Sequence, residues 1–317
     1  MRTKLMVALC VVISHSASLT RAADPKIEIK KVDAKSQYDI TYDGKLFTSY
    51  CYDDKDFFDK PVFWPVLSMQ GNPVNRTWPM RADVPGEAHD HEHHQSLFFT
   101  YDEVNGVHFW NADKSMPRRR IKQREVSTEG NVLKFTLEWD DKEGKALLVE
   151  NRKVTFGGGE DVHWMDHDIL LAAQNADVTF SDTKEGAFGL RLAAKLQPAG
   201  GTGKYINADG VEGDPVWGKV SNWTAIRGMV GENGDEPVTV AIYSHPTSLN
   251  HPPYWHARNY GLFAANPFGR KSYDPKAEER KMILKAGDNL HLRFRVAVYA
   301  GKLEKDRLDK DYANFAK

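Results

Sequence analysis

The chain has 317 residues, 41% hydrophobic, 11% aromatic and 27% charged, an ordinary globular composition long enough to bury a sizeable core. Lys+Arg is 43 and Asp+Glu is 44, so the formal net charge is −1, and no basic stripe or tail supports a nucleic-acid partner. The one dense basic run, Arg118-Arg119-Arg120 with Lys122 and Arg124, includes Ile121 and reads as a solvated strand face rather than a binding patch.

The first segment, residues 1–22, reads as an export signal. Arg2 and Lys4 supply the positive start, "LMVALCVVI" the short apolar stretch, and "SLTRAADP" the small residues for cleavage near Ala22 or Ala23. The apolar run is too short to span a bilayer. Leu9 precedes Cys10, where a lipid-anchored signal wants a small residue, so no lipid anchor is expected. The mature chain then keeps only Cys51 and has no internal disulfide. Together these features predict the periplasm or the exterior of a bacterium.

From residue 23 onward the chain is punctuated like a β protein, read as one β-sandwich domain over 23–317. "KIEIKKV" and "YDITYDGKLFTSYCY" come first, the latter turning at Asp43-Gly44. "NVLKFTLEW" sets Leu133, Phe135, Leu137 and Trp139 against Lys134, Thr136 and Glu138. "ALLVENRKVTF" follows, with a turn expected at Gly157-Gly158-Gly159, and then "VTVAIY". "NLHLRFRVAVYA" puts Leu290, Leu292, Phe294, Val296 and Val298 on one face and His291, Arg293 and Arg295 on the other. Only at the end, through Leu303, Leu308, Tyr312 and Phe315, does an apolar helical face appear. So many alternating strands need two packed sheets or a barrel, and the expected fold is all-β: a large antiparallel two-sheet sandwich with a short C-terminal helix.

Three polar clusters interrupt this pattern. In "HDHEHH" an extended backbone puts His89, His91 and His93 on one side and Asp90, Glu92 and His94 on the other. Three imidazoles on one face suit a divalent transition metal, namely zinc, copper, nickel or iron. Acid–base or substrate-binding work without a metal, and a merely His-rich surface loop, are the other readings. The second cluster, "SDTKEGAFGLRLAAKL", holds Lys184, Glu185 and Arg191 around two glycines, as a functional group or as a hairpin tip with a surface ion pair. The third, "YSHPTSLNHPPYWHARNYGLFAANPFG", is a long proline-stiffened segment with His245, His251, Tyr254, Trp255, His256, Arg258 and Asn266. Its aromatic rings offer flat faces to sugar C–H groups, and Arg and Asn offer hydrogen bonds. Trp223 and Trp217 read as core or cleft wall, and Trp223 is also a candidate sugar contact. "GGGED" lacks the Lys-Ser/Thr of a phosphate loop, and no serine-nucleophile motif is present.

Those segments together, "HDHEHHQSLFFTYDEVNGVHFW", "TKEGAFGLRLA" and "HPTSLNHPPYWHARNYGLFAANPFG", resemble a family of exported bacterial proteins labelled "PmoA family" or "methane oxygenase PmoA" and otherwise of unknown function. The resemblance covers most of the mature chain. The methane oxygenase subunit of that name is an integral membrane protein. With a mean hydropathy of −0.57 and no spanning segment after the leader, this chain takes from the resemblance family membership and not that activity. More distantly the chain is similar to galactose-mutarotase-like supersandwich proteins. That similarity implies a histidine acid and a carboxylate base acting on a bound sugar.

By chemistry the candidates for catalysis are His93, His94, Glu185, His245 and His256. Lys184, Arg191, Trp223, Tyr254, Trp255, Arg258 and Asn266 are the candidates for substrate contact, and His89, His91 and His93 for a metal. Buried polar groups are costly unless they satisfy one another, so "HDHEHH", Lys184–Arg191 and His245–Arg258 are expected to line one pocket. The function these residues point to is an exported carbohydrate-active enzyme using His/Glu acid–base chemistry on a sugar or polysaccharide-derived small molecule, by hydrolysis, elimination or epimerisation. A non-catalytic carbohydrate-binding protein and a His-rich metal-binding protein are the alternatives.

Overall fold

The computed structural model describes residues 24–53, 60–111 and 121–317. The expected signal segment and Arg118 to Arg120 lie outside them.

Two eight-stranded antiparallel sheets face each other. Across the first sheet the order is Ile27–Val32, Gln37–Tyr42, Lys45–Cys51, Val62–Val66, Leu97–Tyr101, Gly186–Arg191, Leu262–Asn266 and Tyr254–Ala257. Across the second it is Lys204–Asn207, Trp223–Val230, Glu236–Ser244, Asn289–Ala300, Val162–Ala173, Ala146–Gly158, Val132–Asp140 and Ile121–Glu129. A small four-stranded sheet, Met282–Leu284, Val178–Phe180, Glu103–Val104 and Val107–His108, sits at one end. The expected two-sheet sandwich is therefore the observed architecture.

Strand alternation decides what each face does, because successive side chains point to opposite sides. Leu133, Phe135, Leu137, Trp139, Leu292, Phe294, Val296 and Val298 turn inward from the second sheet. They meet Leu97, Phe99, Phe188, Leu190 and Phe263 of the first in one core. Outward from the second sheet, Trp223, Tyr243, Ala297 and Tyr299 form a second cluster under the helix Lys305–Phe315, whose Leu308 and Phe315 are buried. Arg307 clamps that helix through Asp161 at 2.8 and 2.9 Å. Outward from the first sheet, Phe98, Leu262 and Ala264 lie under Trp110 and Met80. Every residue of Leu97–Tyr101 is consequently buried, because both of its faces are covered.

One local reading needs adjustment. Gly157 and Gly158 do not turn but continue the strand to Gly158, where Gly157 pairs with Trp164. A Cβ at Gly157 would stand 2.0 Å from the Trp164 ring, so the glycine is there to admit the indole. Lys122 and Arg124 form cross-strand ion pairs with Asp140 and Glu138, as a solvated strand edge does.

Candidate functional site

The histidine run is not a strand. Arg76, fully buried, donates to the carbonyls of Ala88 (3.0 Å), Asp90 (2.8 Å), His91 (2.9 Å) and His94 (3.3 Å), and to Asp90 Oδ1 (2.7 Å). One guanidinium thus gathers four carbonyls, which a ladder-forming backbone would have spent on a neighbouring strand. The loop turns at His91, whose φ is +46°. The same-face geometry expected for His89, His91 and His93 is lost in that turn. His89 stacks on Trp78 at 5.3 Å. The rings of His91 and His93 stand 5.7 Å apart at a steep angle. Among the described residues no three His, Cys, Asp or Glu side chains are grouped to hold a metal ion.

What the loop does instead is press His94 onto the first sheet. Arg191 closes the strand Gly186–Arg191. Its N–H bonds the Ser96 carbonyl at 3.0 Å, and its own carbonyl receives the Arg76 N–H at 2.8 Å. Its guanidinium donates to Asp90 Oδ1 at 2.9 Å and to His94 Nδ1 at 3.1 Å, and lies 4.8 Å over the Tyr260 ring. Burial works to raise the Asp90 carboxyl, but Arg191, His91 and Arg76 outweigh it and hold the group low. Burial lowers Arg76 to about 10, still cationic at neutral pH, and lowers Arg191 as well.

His94 is held neutral, burial pushing it well below the ordinary histidine range. Because Arg191 can only donate, Nδ1 must be the acceptor and Nε2 must carry the proton. That Nε2 has no partner in the protein. His93, beside Trp110, is lowered to about 3, first by burial and then by Lys60, which bonds the His93 carbonyl at 2.9 Å.

His256 is reached along the same outer face, from the edge strand Tyr254–Ala257. Burial is the main reason it falls to about 4, with Glu185 opposing and Arg258 and Lys184 assisting. Its ring hydrogen-bonds the Lys184 carbonyl, while Nδ1 has no partner. Nε2 is therefore the protonated donor and Nδ1 a free lone pair. Lys184 and Glu185 form an ion pair at 2.5 Å, the surface pairing that the sequence allowed.

Tyr260 joins the two halves. Burial raises its phenol, Arg258 and Arg191 pull it down, and Glu185 and Asp90 push it up, so four charges from three parts of the chain act on one hydroxyl. His91 stacks on the same ring at 5.3 Å, and Arg258 lies 5.6 Å from both the Tyr260 and Trp217 rings. Among the described residues the Arg258 side chain has no carboxylate partner.

The convergence is partial. His91, His93, His94, Lys184, Glu185, Arg191, His256 and Arg258 share this face. His245 does not: it lies under the helix on the far side of the second sheet, 5.2 Å from Phe315 and 2.9 Å from Arg293. Burial, then Arg293, lowers it to about 4. Trp223 belongs to the same far side, bonding Asp309 at 3.1 Å. Trp255 points into the inter-sheet core. Tyr254 stacks on Tyr273 at 5.0 Å. Asn266 spends both ends internally, on Thr183, Tyr273, Phe268 and Gly269.

Sequence reasoning missed Arg76, Asp90 as a functional partner, Tyr260 and Asp102. The Asp102 carboxyl is raised by burial and bonded by His108 Nδ1 at 3.0 Å, and its backbone N–H bonds the Glu185 carbonyl at 3.0 Å. The available signal was "YDEVNGVH": a carboxylate and a histidine flanking a tight Asn-Gly turn are brought side by side.

Residues 37–313 match a family of unknown function designated DUF6807. The chain belongs to that family. The methane-oxygenase label expected from the resemblance does not appear in this match. No curated protein matches this DUF6807 member. Among solved structures it is similar to the 4-alpha-glucanotransferase from Thermococcus litoralis, at 12% identity and a TM-score of 0.32, covering 88% of this chain and 40% of that one. It is also similar to a putative aldose 1-epimerase from Escherichia coli K12, at 10% identity and a TM-score of 0.32, covering 87% of this chain and 99% of that one. A GalM/aldose epimerase homologue from C. elegans aligns at 7% identity and a TM-score of 0.33, covering 88% of this chain and 100% of that one. The DUF6807 chain thus spans less than half of the glucanotransferase. At such TM-scores no activity transfers. Among the described residues no helix is long and apolar enough to cross a membrane.

Proposed function

We propose that the outer face of the first sheet is an acid–base site acting on a sugar, in an exported protein. The observation that carries this reading is a complementary pair of histidines, both neutral and buried: His94 offers an unpartnered Nε2–H and His256 an unpartnered Nδ1 lone pair. Leaving such a buried polar atom unpaired costs about 1–3 kcal/mol, a cost borne more readily where a ligand supplies the partner.

The roles follow from charge. His94 Nε2–H donates to a substrate oxygen without being charged itself, as a neutral imidazole electrophile does. Arg191 fixes its tautomer through the 3.1 Å bond to Nδ1. His256 Nδ1 accepts a hydrogen bond from a substrate hydroxyl and so orients the sugar ring. Glu185 is the proton-abstracting carboxylate. Arg258, free of a carboxylate and supported by Trp217 and Tyr260, faces the developing oxyanion. Cations beside neutral imidazoles favour a transition state that gathers negative charge on oxygen. A glycosyl cation would be repelled by the same groups. Epimerisation and β-elimination are thereby favoured over hydrolysis.

Incubation with a panel of neutral sugars, uronic acids and their oligosaccharides in D2O, followed by proton NMR, tests this reading. Solvent exchange at a sugar carbon, inversion at a centre, or a new vinylic signal is expected. A panel that is bound but unchanged would favour the non-catalytic carbohydrate-binding alternative.

A further inference from the structure

We infer that a second pocket, next to this site, recognises a carboxylate carried on a sugar, so that the ligand class is a uronic acid or an oligosaccharide containing one. The pocket has a volume of about 400 Å³ and is lined by His251, Pro253, Tyr254, Asn266, Arg270 and Arg280. Arg270 and Arg280 are ten residues apart, yet one carboxylate brings their backbones together. Asp182 accepts the N–H of Arg270 at 2.7 Å and of Arg280 at 2.7 Å, as well as that of Lys271. Burial works to raise Asp182, but these backbone donors hold it low and ionised. Its charge is thereby spent on the backbone. Among the described residues neither guanidinium makes a hydrogen bond or ion pair, and Glu279 turns to Lys281 at 3.5 Å.

Two unengaged guanidiniums lining one pocket supply the paired N–H donors that a carboxylate accepts. The remaining walls suit the body of a sugar ring. Tyr254 is fixed flat by stacking on Tyr273 at 5.0 Å and 5°. Pro253 and Pro267 stiffen the rim, and His251, lowered by burial, adds no cation. Tyr273 touches both places: its ring is 6.1 Å from that of His256, and its hydroxyl bonds the Lys184 carbonyl at 2.9 Å. A chain lying across the two would set one unit at His256 and hold the carboxylate of a neighbour at Arg270 and Arg280. The sugar body of this inference rests on the reading of the acid–base site; the anion recognition rests on the pocket alone.

The test is equilibrium binding of D-glucuronate, D-glucose and inorganic phosphate, measured by calorimetry on the full chain. D-Glucuronate is expected to bind ten- to a hundredfold more tightly than D-glucose, the span of one or two charge-assisted hydrogen bonds. Arg270→Gln with Arg280→Gln should abolish that preference without lowering the unfolding midpoint. Arg270→Lys with Arg280→Lys should restore part of it. Equal binding of glucuronate and glucose, no loss in the double glutamine variant, or phosphate binding as tight as glucuronate binding would each overturn the inference. If the preference holds but no sugar is turned over, the acid–base reading fails and the pocket stands.

Discussion

Arg191 and His94, 97 residues apart in sequence, meet at 3.1 Å between a guanidinium nitrogen and Nδ1. The contact fixes which nitrogen of His94 bears the proton, and it ties the histidine loop to the sheet. Nitrogen-15 NMR should find His94 and His256 both neutral at pH 7 with the proton on Nε2. Arg191→Lys, which keeps the charge but not the fork, should leave a mixture of tautomers at His94. Arg191→Met should also destabilise the fold, by about 1 kcal/mol, because the half-exposed Asp90 carboxylate it leaves behind keeps Arg76, as urea unfolding would record. An unchanged tautomer in Arg191→Lys would show that the loop alone orients the ring.

The histidines give the protein a pH-dependent stability of definite sign. His256 titrates near 4 in the folded state, below the ordinary histidine value near 6.5. Between those values the unfolded chain binds more protons than the folded one, so stability rises with pH across that window. The contribution is complete above about pH 6.5 and is lost as the pH falls toward about 4. For His256 it amounts to roughly 3 kcal/mol, and His94 and His167, also depressed by burial, act in the same direction. Urea midpoints at several pH values should fall as acid is added, and His256→Gln should flatten the slope. A midpoint constant across this range would mean that these imidazoles reach solvent.

Inside the sandwich, Glu150 and Arg152 form a buried ion pair. Arg152 Nε donates to Glu150 Oε1 at 2.6 Å, and Trp139 Nε1 donates to Oε2 at 2.9 Å. Glu150→Gln should cost roughly 3–5 kcal/mol by stranding the buried guanidinium. Replacing both residues with apolar ones of similar volume should cost much less. Chemical denaturation of the two variants separates these outcomes.

Much of the fold was legible because strand alternation is a local signal. Leu290, Leu292 and Phe294 face the core simply because every second residue does. The site was legible as composition but not as geometry. The histidine run looked extended because no local feature shows that Arg76 will take the carbonyls of residues 88 to 94 from a distance of 12 to 18 positions. His245 and His256 looked like one cluster because they are close in sequence. Between them the chain leaves the strand Glu236–Ser244 of one sheet for the strand Tyr254–Ala257 of the other, which places the two rings on opposite sides of the molecule. Such a crossing follows from the strand order and leaves no trace in periodicity.

Export is expected from the first segment. Intact-mass measurement of the periplasmic or secreted fraction should find a chain beginning at or just after Ala22. Full-length chain retained in the cytoplasm would contradict it.

The account turns on proton transfer at the outer face of the first sheet. The most direct measurement is the rate of solvent deuterium incorporation into a sugar that the protein turns over, compared among the wild type, Glu185→Gln, His94→Gln and His245→Gln. Glu185→Gln and His94→Gln should each slow exchange by about 10²- to 10⁴-fold, while His245→Gln, altered on the far side of the second sheet, should exchange at the wild-type rate. Exchange that survives in Glu185→Gln and His94→Gln but is lost in His245→Gln would place the chemistry on the wrong face and contradict the account.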